Sequence, residues 1–533
     1  MRPEGFRGVF RDDDLARAVY SEGAGIAREL PQAVAVPADA DDVASLVRWA
    51  AAERRPLIPR GSGSGMAGGA VGPGIILDLS RLLRLDPIGP TDTIWAEAGV
   101  LCGTIQDAAA AKGLRFPPDP SSSAFCTIGG MCSTNAAGPH SLAFGPTRRW
   151  VQALDCVFSD GTRAIVRRGG PAPDARPVRD FLGARESLRQ IWKGAASDHS
   201  DVRKDSSGYA LSAYFESSDL VDLLVGSEGT LAIIVAVELR LVPVPPATGS
   251  IMAVFRSLES AARGADAARQ AGAAACELLD RTFLEFANAG PLAGTGDAAA
   301  VLLVEIEAET AENAAGTSKR LASALERSGA ESVVLASTSA SEKEVWELRH
   351  AASPMLSRLK HLTSMQFIED GAVPPTMLPE YVRGIRAILE RHAVTGVIFG
   401  HAGDSHVHVN PLIDVSKPDW RETVSSLLTE ATALTRELRG TLAGEHGDGR
   451  LRTPLLEKVW SAAALSAFAQ VKRCFDPNGI LNPGVKIPTK GQQPLQSIKY
   501  DPALPPLPAA ARTALDGIVA RRGYSDYRLS LID

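Results

Sequence analysis

The spacing of apolar positions changes along the chain, and each change marks an element. AVAV (33–36) is a short continuous apolar run of the kind a buried strand makes. Residues 39–55 then carry apolar side chains at helical spacing, with Asp39, Asp41 and Asp42 at the start and Arg54 and Arg55 at the end. That is the charge order the helix dipole favours. PLIPR (56–60) and IILDLS (75–80) predict strands on either side of a glycine-rich connection, and WAEAGV (95–100) predicts a strand before a helix over 103–113. Pro, Ser and Gly dominate 117–147. The two alternating runs around Asp160 and Gly161 predict a hairpin over 151–166. The apolar run from Leu231 is interrupted by Glu238, Arg240 and then prolines, so it predicts a buried strand and not a bilayer-spanning helix. Residues 168–206 are polar and predict a surface excursion.

The texture changes near residue 249. Ala-rich helical stretches at 257–271, 310–328, 341–360 and 420–439 alternate with the strand-like IMAVF, VLLVEIEA, SVVLAS and VIFGH. The pattern predicts an α+β domain with helices packed on a sheet. A chain of 533 residues exceeds one ordinary core, and the prolines of LRLVPVPPATG place a boundary near 245. The expected organisation is an N-terminal segment 1–26, a first domain 27–245, a second domain 246–487 and a Pro-rich tail 488–533, extended at first and then a short helix.

Charge and cysteine usage narrow the class. A net charge of -6 gives no general argument for nucleic acid or an anionic membrane as partner. Six scattered cysteines without a CxxC pair support no disulfide framework, zinc knuckle or iron–sulfur cluster. The first 20 residues lack the apolar core of a secretory signal. A cytoplasmic protein without a transmembrane segment is expected, with peripheral membrane contact left open.

Candidate chemistry lies in low-bulk and His-rich segments. Gly63, Gly65 and Gly68 spell GxGxxG after a strand, but Gly72, Pro73, Gly74 and another strand follow, where a Rossmann loop opens into a helix. What survives is a run of unobstructed backbone N–H groups, equally suited to wrapping a pyrophosphate or to making a flexible turn. SSSAFCTIGGMCSTNAAGPHSLAFGPTRRW (121–150) and VGSEGTLAIIV (225–235) add hydroxyls and glycines. Four of the nine histidines fall in GHAGDSHVHVNP (400–411) and AGEHGDGRLR (443–452). With Glu445 they form either a divalent-metal set or loop histidines capped by Asp404 or Asp448.

Taken in order, Arg60–Gly69, Thr127–Gly138 and Gly226–Ile233 resemble the FAD-binding domain of the vanillyl-alcohol oxidase/p-cresol methylhydroxylase (PCMH) superfamily. The chain is most similar to its D-lactate, glycolate and D-2-hydroxyglutarate dehydrogenase branch, over about residues 20–487. The resemblance implies a two-subdomain FAD-binding domain of the PCMH type and an α+β, ferredoxin-like substrate domain. FAD would lie against the loop Arg60, Gly61, Ser62, Gly63, Ser64, Gly65 and Met66, non-covalently, since that loop holds neither His nor Cys. Further contacts are implied at Pro120, Ser121, Thr127, Ile128, Gly129 and Gly130. Ser133, Thr134, Asn135 and Gly138 continue them, and Glu228, Gly229, Ile233 and Asn482 complete them.

His401, His408 and Asn410 match the motif HxGDxxxHxN, and Glu445 and His446 its downstream EHG. By the resemblance His401, His408 and Glu445 bind a divalent metal, Zn or Mn, Asn410 positions substrate and His446 is the catalytic base. Arg349 corresponds to the family's carboxylate clamp, as suits a planar permanent cation. Three departures stand out, one of them the 168–206 excursion. His406 replaces an asparagine common in relatives, and EHGDGRLR adds Arg450 and Arg452 to a segment often read EHGIG. Arg450 is expected to bind substrate, which points to a dicarboxylate such as D-2-hydroxyglutarate. Lys204 and Tyr209 border the site with no role assigned. The implied activity is FAD-dependent oxidation of a D-2-hydroxy acid. The electron acceptor would be separate: a quinone, a cytochrome, an electron-transfer flavoprotein or an iron–sulfur protein. A homodimer is also compatible. The alternatives are an FAD-bearing subunit of a glycolate oxidase complex, or an oxygen-using or non-redox flavoenzyme of the superfamily.

Overall fold

The computed structural model describes residues 3–286, 298–336, 341–343, 346, 349 and 361–532. Two small sheets form the first domain. The first has the strand order Val9–Arg11, Ala33–Val36, Ile75–Asp78, Leu57–Arg60, with the last three parallel. The helix Ala40–Glu53 crosses between its strands. Asp39 starts it by accepting from the N–H groups of Asp41 and Asp42, and Val43, Leu46, Val47 and Ala50 bury its inner face. Leu57–Arg60 and Ile75–Asp78 are parallel neighbours joined through 61–74 without a helix, so the glycine loop emerges at the strand ends, where open α/β sheets bind ligands.

The second sheet is antiparallel, in the order Thr93–Glu97, Ala232–Arg240, Val151–Phe158, Arg163–Arg167. Its hairpin turns where expected, with Gly161 at φ 78 and Asp160 accepting from the N–H of Thr162 at 2.9 Å.

Apart from the short helix Arg281–Phe286 after its second strand, the second domain opens as strand–helix–strand–strand–helix–strand. Its strands Ala247–Phe255, Ala275–Asp280, Ala300–Ala308 and Ala330–Ala336 lie in the spatial order fourth, first, third, second. That is the expected ferredoxin-like unit. The sheet then continues through Gly396–Gly400 and His406–Ile413. Helices Leu258–Gln270, Ala311–Arg327 and Leu378–Arg391 pack on it through residues such as Ala265, Leu321 and Ile385. The helix expected over 341–360 lies largely outside the described residues.

Three segments pack differently from the expectation. Residues 168–206 contain a helix, Arg176–Trp192, whose Phe181, Leu188 and Trp192 are buried. They pack with Phe468, Val471 and Phe475 of Ala462–Phe475, so that late helix belongs to the first domain's core. The short helix expected after 488 is present as Ala509–Arg521, and it is docked on the first domain. Its Ala511, Ala514, Leu515 and Ile518 pack with Val19 and Tyr20 at the end of the helix Asp14–Val19 and with Ile58 and Ile76 of the first sheet. Among the described residues, no helix is long and apolar enough to cross a membrane.

Candidate active site

One cavity of about 1310 Å³ runs along the three low-bulk segments to the histidines. It exceeds the roughly 300–1,000 Å³ of ordinary small-molecule pockets, as a dinucleotide with a second ligand requires. The glycine loop forms one wall. A Cβ on Gly61 would stand 2.0 Å from Thr127 Oγ1, and Gly63 has φ +77, so the loop presses on the central segment only because these positions lack side chains. Arg60 lies beneath, donating to the carbonyls of Tyr20 (3.3 Å), Ala70 (3.3 Å) and Glu22 (3.0 Å). This wall of bare backbone fits a pyrophosphate-bearing cofactor such as FAD.

Residues 60–66 all border the cavity, as do Pro120, Ser121, Thr127, Gly129, Gly130, Ser133, Thr134 and Gly138. Glu228, Gly229, Ile233 and Asn482 border it too. Two expected contacts do not reach it. Ile128 is fully buried in the apolar core, and Asn135, at φ 55, ends the helix Ile128–Thr134 and accepts from the N–H of Arg148 at 2.9 Å. Glu228 borders the cavity, yet its carboxylate turns to the EHGDG segment, accepting from Asp448 N (2.7 Å), Gly449 N (3.0 Å) and Lys486 Nζ (3.1 Å).

At the other end His401, His406, His408 and Glu445 present donor atoms all within 4.8 Å of one another. His401 ends the strand Gly396–Gly400, and the pleat of His406–Ile413 turns Val407 and Val409 into the core while His406, His408 and Asn410 share the other face. Glu445 Oε1 lies 3.1 Å from His401 Nε2 and 3.5 Å from His408 Nε2. Each ring is oriented from behind. His401 Nδ1 meets Glu277 Oε1 at 2.6 Å, and His408 Nδ1 donates to the carbonyl of Glu369 at 2.8 Å. Both Nε2 lone pairs therefore face Glu445, the arrangement a divalent cation needs. Burial pushes the His408 imidazole down, which favours the neutral, ligating form. Against the penalty of burial, Lys204 and His401 hold the Glu445 carboxyl well below its ordinary range.

His446 borders the cavity beside this group, its ring stacked on His408 at 5.3 Å. Burial opposes its protonation, but Asp370 and Glu369 outweigh that and raise it to about 9. Arg349, 6% exposed, donates from Nε to Glu277 Oε2 at 2.5 Å and lies over the Phe399 ring. Asn410 lines the same end, and its buried Oδ1 has no protein partner.

Arg450 corrects the expectation of a substrate contact. Its guanidinium donates to the carbonyls of Gly68, Gly69 and Pro483 and to Asn482 Oδ1, at 2.8–3.3 Å. It props the glycine loop against the closing FDPNGILNPG segment and offers nothing to a substrate. Four charged residues carry structure that sequence reasoning missed or left without a role. Glu277 joins His401 to Arg349, Glu369 orients His408, and Lys204 Nζ donates to Glu445 Oε2 at 2.9 Å. Asp370 accepts from the backbone N–H groups of Glu445 (3.2 Å) and His446 (2.9 Å), fixing the EHG turn. The adjacent carboxylates of FIEDGAV, set in an apolar segment, were the available signal for two of them.

Comparison with known proteins agrees with this architecture. A family model described as "FAD binding domain" matches residues 31–167, and "FAD linked oxidases, C-terminal domain" matches 244–485. The chain is 31% identical over 486 residues to the glycolate oxidase subunit GlcD of Bacillus subtilis, covering 89% of this chain and 93% of that protein. It is 29% identical to the D-lactate dehydrogenase of Archaeoglobus fulgidus, covering 85% and 90%. Against the D-2-hydroxyglutarate dehydrogenase of Pseudomonas putida the identity is 29% over 91% of this chain, which spans about half (51%) of that protein. The solved structure of p-cresol methylhydroxylase with substrate bound shares the fold, with a TM-score of 0.64 at 14% identity over 90% of this chain and 94% of that one. With both of its domains matched and a relative above 30% identity aligned nearly end to end, the chain belongs to the FAD-linked oxidases.

Proposed function

We propose that the protein oxidises a D-2-hydroxy acid to the 2-oxo acid. The observation that carries this reading is the meeting, at one end of a glycine-walled cavity, of a His/Glu donor set, a base and a buried arginine. FAD when bound would supply the hydride acceptor, and His401, His408 and Glu445 would hold a divalent cation, whose chemistry would be to acidify the substrate hydroxyl. Arg349 pairs with the substrate carboxylate, and its planar fork, braced by Glu277, sets the orientation. Asn410 donates or accepts beside the hydroxyl. His446 takes the hydroxyl proton while the Cα–H bond breaks, the hydrogen leaving with its electron pair and the oxygen's own pair closing the C=O bond. That role needs neutral His446, and positive charge at the neighbouring donor set favours it.

Arg349 is the permanent cation at this end among the described residues that border the cavity, so recognition of the 1-carboxylate is its part. The test is anaerobic titration of the metal-replete flavoprotein with D-lactate, glycolate, D-2-hydroxyglutarate and the L-enantiomers of the chiral acids. Bleaching of the flavin band by a D-acid or glycolate is expected. A flavin that none of them reduces would overturn the reading.

The likeness to GlcD, itself named as a subunit, favours a second reading in which the same chemistry operates within a complex. In that case flavin reduction proceeds with the isolated chain, and turnover with an external acceptor requires added partners.

A further inference from the structure

His406 lies between His401 and His408 in the GHAGDSHVH segment, and its surroundings are those of a ligand and not of a spacer. The side chain is fully buried. Nε2 lies 2.9 Å from Asp370 Oδ1, and Asp370 accepts in addition from the backbone of Glu445 and His446, so the carboxylate is fixed before the ring meets it. A neutral imidazole that donates Nε2–H to Asp370 carries its lone pair on Nδ1. That atom is buried and has no hydrogen-bond partner. An unpaired buried acceptor costs about 1–3 kcal/mol, and native structures keep one where something else satisfies it. The ring is held against Gly444, where a Cβ would come within 2.7 Å of it, and its centroid is 4.7 Å from that of His408 and 5.5 Å from that of His401.

We infer that His406 Nδ1 is a fourth protein ligand to the divalent cation, making the centre three histidines and one glutamate. This rests on the metal-assisted reading above. The donor spacings suit it. With metal–ligand bonds of about 2.1 Å, the edge of a tetrahedron is about 3.4 Å. The His401–Glu445 and His408–Glu445 separations are 3.1 and 3.5 Å, and His406 offers a ring nitrogen within 4.8 Å of all three of those donors. Asp370, His406 and the cation then form the carboxylate–histidine–metal relay by which second partners set a ligand's tautomer. Two consequences distinguish this centre from one with asparagine at that position. Three neutral nitrogens favour Zn²⁺ over the oxygen-preferring Mn²⁺. Substrate oxygen must enter as an additional ligand by expansion of the coordination sphere, so the resting cation is closed on the protein side.

The experiment uses the full chain with its flavin. X-ray absorption of the Zn²⁺-loaded wild type counts imidazoles directly: three support the inference and two overturn it, whatever any variant does. In parallel, chelator competition for Zn²⁺ and the visible spectrum of the Co²⁺ form are compared in wild type, His406→Asn and His401→Ala, with flavin absorbance confirming folding. His406→Asn is expected to bind Zn²⁺ at least tenfold more weakly and to shift and weaken the Co²⁺ bands. Unchanged affinity and spectrum would overturn the inference while leaving the metal site intact. A wild type that takes up no cation, or a His401→Ala variant that binds as well as wild type, defeats the metal-assisted reading itself.

Discussion

Glu277 shows how much one side chain governs at the residue scale. It is wholly buried, and its two oxygens face His401 Nδ1 and Arg349 Nε, so it orients a metal donor and a substrate clamp at once. Burial alone raises a carboxyl, yet His401 and Arg349 hold Glu277 below the ordinary range, and it stays ionised at every working pH. Glutamine would keep the shape. Its amide NH₂, turned to His401, demands the tautomer with Nε2 protonated and so removes the lone pair from the donor set. Glu277→Gln is therefore expected to weaken cation binding about 10–100-fold with the flavin retained, read as metal content after dialysis. Full metal content would contradict this account. Nothing around residue 277 signals the role, because its partners lie 124 and 72 positions away. His401, His408, Asn410 and Glu445 were legible because motif and pleat act over a few residues. Arg450 misled because composition reports a charge and not where a guanidinium points. Its own neighbours, glycine carbonyls and Asn482, had already claimed it.

Elements were read well where period and local turn chemistry decide, as in the Asp160–Gly161 hairpin and three of the four ferredoxin-like strands, Ala275–Asp280 having gone unread. They were read poorly where tertiary packing decides. The short helix after the Pro-rich stretch beyond 488 was legible but its docking was not: Ala511, Ala514, Leu515 and Ile518 repeat at helical spacing, and the first sheet's open face supplies their partner. The same helix borders the cavity through Arg512, Asp516 and Val519, so this late segment completes a wall that the early glycine loop begins. Ile518→Ala removes a wholly buried side chain from that contact. It is expected to destabilise the protein by about 2–5 kcal/mol. Val519→Ala, at a half-exposed position, should stay within about 0.5 kcal/mol. Urea midpoints check both, and equal midpoints would mean that the helix is only loosely docked.

For the whole molecule, the two domains must hold a fixed relation, since one carries the glycine wall and the other the histidines. Two charge clusters fasten them, one buried and one half-buried. Lys486 Nζ joins Asp448 (3.0 Å), Glu228 (3.1 Å) and the Ser206 carbonyl (2.6 Å) on the cavity side. Away from it, His140 of the first domain sits between Asp119 Oδ2 at 2.6 Å and Glu305 Oε1 of the second at 2.8 Å, with Glu307 alongside paired to Arg115. Trp346 stacks on the imidazole. Burial works against protonation here, but Asp119 and Glu305 prevail and raise His140 well above its ordinary value. The sign follows from linkage: a folded-state value raised above the unfolded one of about 6.5 makes the clasp's contribution complete below that pH and loses it as pH rises through the folded value. Wild type should therefore exceed His140→Gln in urea midpoint most clearly at pH 6, and the gap should close progressively into the alkaline range. A gap that is constant across pH would assign His140 a packing role only. A gap that widens with pH would mean that the neutral imidazole, and not the imidazolium, holds the two domains together.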